Sequence, residues 1–255
     1  MDFEFSEEQQ AFAREVSAFC DEHDDIDIFD VTRENMAQIV DTPKRRAFMK
    51  ELGHKGWLGM TWPKEYGGSE GEGVYEYILN EELAGRGGPQ IGKGVGIIGK
   101  TMGAAGSDFL REKSLPMILE NDVEFAVGYS EPNAGSDAAS MRLKGVKHTT
   151  EDGREGWLLN GQKTWTTSAH FAEWYWCGVR TDPDNKHMGI TLMLIPMDDP
   201  GITINGIWTM GDERTNEVWL DNVFVPDEYV VGEVNHGFKY ISQALDLERF
   251  TMFTY

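Results

Sequence analysis

The ten residues Gly128-Tyr129-Ser130-Glu131-Pro132-Asn133-Ala134-Gly135-Ser136-Asp137 hold two serine hydroxyls, two carboxylates, a proline and two glycines. Pro132 lacks an amide donor and restricts Glu131, and Gly135 admits backbone angles closed to other residues, so the segment is no helix. The apolar run Phe125-Ala126-Val127 leads into it, which reads as a strand opening into a polar loop. Loops of this kind bring backbone amides and hydroxyls close to a ligand. An ordinary surface turn is the competing reading.

Trp165-Thr166-Thr167 sets an aromatic ring beside two hydroxyls. Such a triplet can wall a flat ring and hydrogen-bond its edge. A core tryptophan in a plain strand is the alternative, since Trp and Thr both favour strands. Taken with the 128–137 loop, the two segments would form adjacent sides of one pocket. Glu248 and Arg249 are neighbours in an apolar-periodic stretch. Successive helix positions point about 100° apart. The pair is either a carboxylate reaching into a site as a base, with a guanidinium holding local charge, or a solvated ion pair.

Gly94-Val95-Gly96-Ile97-Ile98-Gly99-Lys100-Thr101 satisfies both GxGxxG and GxxxxGK[ST], and Leu192 to Ile195 before Asp198 could pose as a Walker B strand. A phosphate-binding loop must follow a buried strand. The preceding Gly85 to Gln90 cannot form one, and no parallel βα alternation follows. Glycines that let helices pack closely are the preferred reading, with a P-loop protein kept as a remote alternative. The six histidines show no HxH or HExxH spacing and Ser136 has no legible base, so neither a metal nor a serine nucleophile is expected.

The elements that must position these residues change character near residue 123. Before it the pattern is helical. Ser6 with Gln9 fits a capping box, followed by Phe12, Val16 and Phe19. Further helices are expected at Arg45–Gly56, Val74–Ala84 and Ser107–Glu120. After residue 123 the pattern predicts strands. Trp157 to Leu159 and Gln162 to Thr167 read as a hairpin turned by Asn160-Gly161. Strands follow at Glu173–Val179, Gly189–Ile195, Ile202–Trp208 and Glu217–Val225, a spacing that suggests a barrel or sandwich. From Gly237 the helical period returns and runs to Tyr255, which implies that more protein belongs after it.

With 255 residues and 40% apolar content the chain can bury a sizeable core. Its net charge of −21 argues against nucleic acid and anionic membrane surfaces. Cys20 and Cys177 have no ligand spacing. No signal-peptide pattern and no run of about 20 apolar residues is present, so a cytoplasmic location is expected, with no membrane partner.

Together these pieces resemble the acyl-CoA dehydrogenase family. The matching stretches are Trp57 to Gly68, Gly128 to Asp137, Asn160-Gly161-x-Lys163-x-Trp165-Thr166-Thr167 and Val223-Phe224-Val225-Pro226, in family order and spacing. The likeness is strongest to isovaleryl-type and bacterial steroid side-chain members. It implies an α+β multidomain fold: an α-helical N-terminal domain (1–122), a β-barrel middle domain that contacts flavin (123–232) and the first helix of a C-terminal helical bundle (233–255). It also implies FAD as cofactor, with Val127, Gly128, Tyr129, Ser130, Ser136, Trp165, Thr166 and Thr167 contacting it. Ser136, Asp246 and Arg249 would meet the acyl-CoA substrate.

The implied chemistry is α,β-dehydrogenation of the thioester: α-proton abstraction by a carboxylate, β-hydride to flavin N5, and electrons passed to an electron-transfer flavoprotein. Most members carry the base in the bundle, and a minority carry it before an Arg on the first bundle helix, which Glu248-Arg249 matches. A homo- or hetero-tetramer is implied. The alternative from another class is a non-catalytic partner subunit of a heteromeric enzyme.

Overall fold

The computed structural model describes residues 4–32, 41–89, 91 and 93–251, and for 248–251 the helical backbone only. The first half is helical: α1 (Glu7–Glu22), α2 (Pro43–His54), α3 (Gly73–Gly85), a π-helical segment (Lys93–Gly99), α4 (Lys100–Ala105) and α5 (Asp108–Leu119). The capping box of α1 forms as its spacing predicts. Gln9 donates its amide to Ser6 Oγ, and Ser6 donates its own to Gln9 Oε1 at 2.9 Å. Helix α2 begins two residues before the expected Arg45, because Thr42 caps it and Pro43 takes the first position.

The GxxxxGKT stretch is helical throughout. A Cβ at Gly99 would lie 2.1 Å from the Trp62 ring, and Trp62 Nε1 donates to the Val95 carbonyl at 3.1 Å. The glycine is there for close packing, and the P-loop alternative fails on geometry.

The second half is one sheet: β1 (Phe125–Gly128), β2 (Lys144–Thr149), β3 (Glu155–Lys163), β4 (Trp174–Arg180), β5 (Ile190–Pro196), β6 (Ile202–Trp208), β7 (Arg214–Pro226) and β8 (Val230–Val231). The order is β6-β7-β3-β2-β4-β5-β8, with β1 parallel to β4. Helix α6 (Gly237–Thr251) follows and packs on β5 and the π-helical segment.

The sheet wraps one core of its own. Tyr175, Cys177 and Val179 of β4 and Met193 and Ile195 of β5 point into it, with Trp157, Leu159, Val218 and Val223. Trp176, Ile190, Leu192 and Leu194 point the other way, into the core shared with the helices. Strands β4 and β5 are therefore buried on both faces, which explains their nearly unbroken apolar sequences. Arg46 bridges the two halves, with Nη1 at 2.7 Å from Glu173 Oε1 and Nε at 2.7 Å from Asp41 Oδ1.

One expected element is overturned. Asn160-Gly161 is no hairpin turn; it lies inside the continuous strand β3, which pairs with β2 on one side and β7 on the other. Gly161 has φ of +148°, and a Cβ there would come within 3.0 Å of the Leu143 backbone. Glycine serves close strand approach here, and the extra residue of the register shift falls on β7 near Asn222, whose φ is +55°. The true hairpin joins β2 to β3 at Thr150–Arg154, with Gly153 at φ +86°. Strand β2 was not anticipated, since its Lys, Gly, His and Thr content leaves little apolar alternation.

Candidate active site

The two segments singled out by their chemistry lie side by side. Strand β1 carries Val127 and Gly128 to the edge of the sheet, where the chain leaves as a loop. A Cβ on Gly128 would collide with the Tyr175 ring at 2.3 Å, so only glycine lets β1 approach β4 here. Pro132 and Asn133 turn the loop, and Glu131 and Ala134 exchange backbone hydrogen bonds across them at 2.9 and 3.0 Å. Trp165-Thr166-Thr167 lies beyond β3, outside the strand expected for it. The contact between the segments is direct: the Thr164 amide donates to the Ser130 carbonyl at 3.0 Å.

The second segment is held in an unusual backbone conformation. Trp165 has φ of +58° and Ser168 has φ of +69°. Such angles cost a non-glycine residue about 1–3 kcal/mol and persist only where the surroundings enforce them. Here Thr166 is the fixed point. Its amide donates to the Asn216 carbonyl at 3.0 Å, its carbonyl accepts from Asn216 Nδ2 at 2.8 Å, and its hydroxyl lies 3.1 Å from the Tyr175 hydroxyl. Lys93 reaches over from the π-helical segment to donate to Ser168 Oγ at 2.9 Å. Trp165 is left 61% exposed.

The donor set suits a flat, hydrogen-bonding cofactor. Among the described residues, the hydroxyls of Ser130, Ser136 and Thr167 have no partner within the protein, and the Trp165 indole presents an open ring face. Thr166 offers no side chain, because its hydroxyl is buried against Tyr175. Tyr129 is anchored by accepting from Trp176 Nε1 at 2.8 Å. His170, beside Asn216, is held below the ordinary imidazole range, mainly by burial and then by the charge of Arg214.

The pieces missed by sequence reasoning lie beneath these two segments. Lys163 is fully buried at the end of β3 and sits 2.9 Å from Glu131 Oε1. Its neighbours on the same strand face are Trp157 and Leu159, so simple alternation along one unbroken strand would have pointed it inward. The assumed turn at Asn160-Gly161 concealed that. Asn216 and Lys93 carried no signal of their own.

Where the Ser136 loop ends, at Ala139 to Met141, begins a groove of about 720 Å³, lined also by Arg142, Lys144, Lys147, Trp157, Arg180 and Lys186. The Arg180 guanidinium donates to the carbonyls of Met141, Ala139, Asn185 and Lys186, fastening the β4–β5 loop to the end of the Ser136 loop. Lys186 pairs with Asp137 at 2.7 Å. That pairing, with a hydrogen bond from Ser140, holds the Asp137 carboxyl below its ordinary range. Arg142 and Lys144 are exposed and have no ion-pair partner among the described residues.

Asp246 is exposed on α6. The side chains of Glu248 and Arg249 lie outside the described residues. No group of histidine, cysteine, aspartate or glutamate among the described residues could hold a metal, and none of the described helices is long and apolar enough to cross a membrane.

Known proteins are similar to this chain in sequence and fold. The family model for the acyl-CoA dehydrogenase N-terminal domain matches residues 6–122, and that for the middle domain matches 126–223. Acyl-CoA dehydrogenase FadE29 of Mycobacterium tuberculosis is 37% identical over 81% of this chain and 53% of its own length. The chain thus spans about half the length of the curated relatives it matches. The solved Tcur3481-Tcur3483 steroid ACAD superposes with a TM-score of 0.85 and 32% identity, over 100% of this chain and 64% of that one. The ChsE4-ChsE5 complex of Mycobacterium tuberculosis gives a TM-score of 0.80 and 30% identity, over 97% and 62%. The matched helical and sheet regions follow one another in family order, and the chain belongs to the acyl-CoA dehydrogenase family.

Proposed function

We propose that the protein takes part in FAD-dependent α,β-dehydrogenation of an acyl-CoA thioester. The observation that carries this reading is the 3.0 Å hydrogen bond from the Thr164 amide to the Ser130 carbonyl. It brings the segments that carry the free hydroxyls of Ser130 and Thr167 and the exposed Trp165 ring side by side. FAD, when bound there, supplies the acceptor for the β-hydride.

The chain's own residues do the rest. Trp165 covers a ring face, and Val127 to Ser130 and Thr167 line the ring's edge. Ser136 serves the phosphate-bearing side of cofactor or substrate. The groove cations Arg142 and Lys144 place positive charge locally where a polyanionic coenzyme A moiety could meet it, on a chain whose overall charge of −21 is repulsive. Glu248 takes the α-proton onto its carboxylate, with Asp246 and Arg249 meeting the substrate. Acidity at that carbon requires hydrogen bonds that strengthen as charge develops on the thioester oxygen. A helical unit at 1–122, a flavin-facing unit at 123–232 and a bundle helix from 233 form the working arrangement. An electron-transfer flavoprotein is the electron acceptor, and a cytoplasmic homo- or hetero-tetramer is the assembly.

The second reading is a non-catalytic partner subunit. It is favoured by the likeness to the ChsE4-ChsE5 complex, whose name joins two components. Absorbance spectroscopy separates the two. Protein purified with its whole natural chain is expected to bind FAD, and anaerobic acyl-CoA should bleach the flavin band. A protein that stays flavin-free in excess FAD overturns the catalytic reading and leaves the partner-subunit one. ATP should produce no thermal shift.

A further inference from the structure

We propose that the buried Lys163–Glu131 ion pair is a positioning device that sets the Ser130 segment against the Trp165 segment. The inference rests on the reading of these two segments as the FAD site. Lys163 Nζ is 2.9 Å from Glu131 Oε1 and donates to the Tyr129 carbonyl at 3.3 Å. The next residue, Thr164, holds the Ser130 carbonyl through its amide. Residues 129, 130 and 131 are thus each tied to the chain at 163–164, immediately before Trp165.

The far side of the pair is equally committed. The Glu131 carboxylate accepts from the Arg142 amide at 2.6 Å and the Leu143 amide at 2.8 Å. One carboxylate therefore gathers the start of the Ser130 loop, the chain entering β2 and the end of β3. Lys163 is fully buried and Glu131 is 8% exposed. A buried ion pair is a weak source of stability, and well-packed apolar residues of the same volume often serve as well or better. Stability alone thus gives little reason for a lysine and a glutamate here. Geometry does: no apolar pair could bind a carbonyl and two amides from separate chain segments. Ser130 keeps its hydroxyl free while its backbone is held on both sides, which is the condition for a preorganised ligand contact.

Lys163→Met alone strands a buried carboxylate and risks unfolding, so the test uses Glu131→Gln with Lys163→Met. Val16→Ala, on the buried face of α1, supplies a control that loses stability through a residue outside both segments. Three readouts are compared with wild type: thermal melting, FAD affinity by flavin fluorescence, and amide hydrogen exchange in peptides covering 128–134 and 163–168. The double variant is expected to exchange faster in both peptides and to bind FAD about tenfold more weakly, by analogy with the lower end of the loss seen when the partner behind a metal ligand is removed. The Val16→Ala control should bind FAD as wild type does. Unchanged exchange in the double variant overturns the proposal, as does unchanged FAD affinity. An equal loss of affinity in the Val16→Ala control also overturns it, because general destabilisation would then be the cause. If wild type itself binds no FAD, the cofactor reading fails, and exchange alone still decides whether the pair positions the two segments.

Discussion

Asn216 on β7 holds both backbone polar groups of Thr166, giving its carbonyl to the Thr166 amide and its side-chain amide to the Thr166 carbonyl. A side chain on one strand thus replaces the ladder partner that the Trp165–Ser168 segment lost on leaving β3. Asn216→Ala keeps the first bond and removes the second, leaving the Thr166 carbonyl unpaired in a buried setting. The expected cost is about 1–3 kcal/mol. Urea denaturation with an unchanged slope would measure it, and a loss below about 0.5 kcal/mol would deny Asn216 this role.

Trp165 offers the opposite experiment. Its ring is largely exposed, so little packing is lost on removing it, while its φ of +58° suits glycine. Trp165→Gly is expected to match or exceed wild type in stability, by up to about 1–2 kcal/mol, because the left-handed penalty disappears. Flavin affinity should fall in the same variant. A stable variant with undiminished affinity would remove Trp165 from the cofactor site.

Glu248→Gln in protein carrying its whole natural chain should keep bound FAD and lose turnover by about 10²- to 10⁴-fold, the contribution of a positioned general base. Stopped-flow reduction by acyl-CoA reads this directly. Wild-type reduction rates would move the base elsewhere.

The two thiols should be silent in the folded protein. Burial pushes Cys177 up to about 12 and Cys20 to about 11, from an ordinary value of 9.0. Neither should react with a disulfide reagent at pH 8 until denaturant is added. Both groups are raised in the folded state, so the stability they confer is whole below pH 9 and is lost as pH climbs from 9 toward 12. Denaturant midpoints measured across that window should fall less steeply in Cys177→Ala than in wild type. Fast labelling of native protein would refute the buried assignment.

Much of this molecule was legible from residue order. The capping box of α1, the helix at Ser107 to Glu120, the strands around Trp174, Ile190 and Ile202, and the strand opening at Gly128 all followed from local periodicity and turn chemistry. The misplacement of Trp165 and Lys163 had one physical source. Asn-Gly is the strongest short-range hairpin signal. At Asn160-Gly161 it was overridden by two flanking strands and by the nearness of Leu143 to Gly161. That misreading placed Trp165 in a strand and left Lys163 without a direction. Asn216 and Lys93 could not have been found at all, since their partners are 50 and 75 residues away and the pairing is purely tertiary.

Arg180 fastens the β4–β5 loop through carbonyl oxygens alone. Every amino acid carries such an oxygen, so the tether is indifferent to which side chains stand at Asn185 and Lys186. That tether constrains loop length and backbone path, whereas side chains are constrained only where they make contacts of their own, as at Gly189, where a Cβ would lie 2.1 Å from the Asp182 carbonyl, and in the Lys186–Asp137 pair. The Arg180 tether itself would thus survive a change of side chain at Asn185 or Lys186, so charge on this part of the groove's rim can vary while the loop stays fastened.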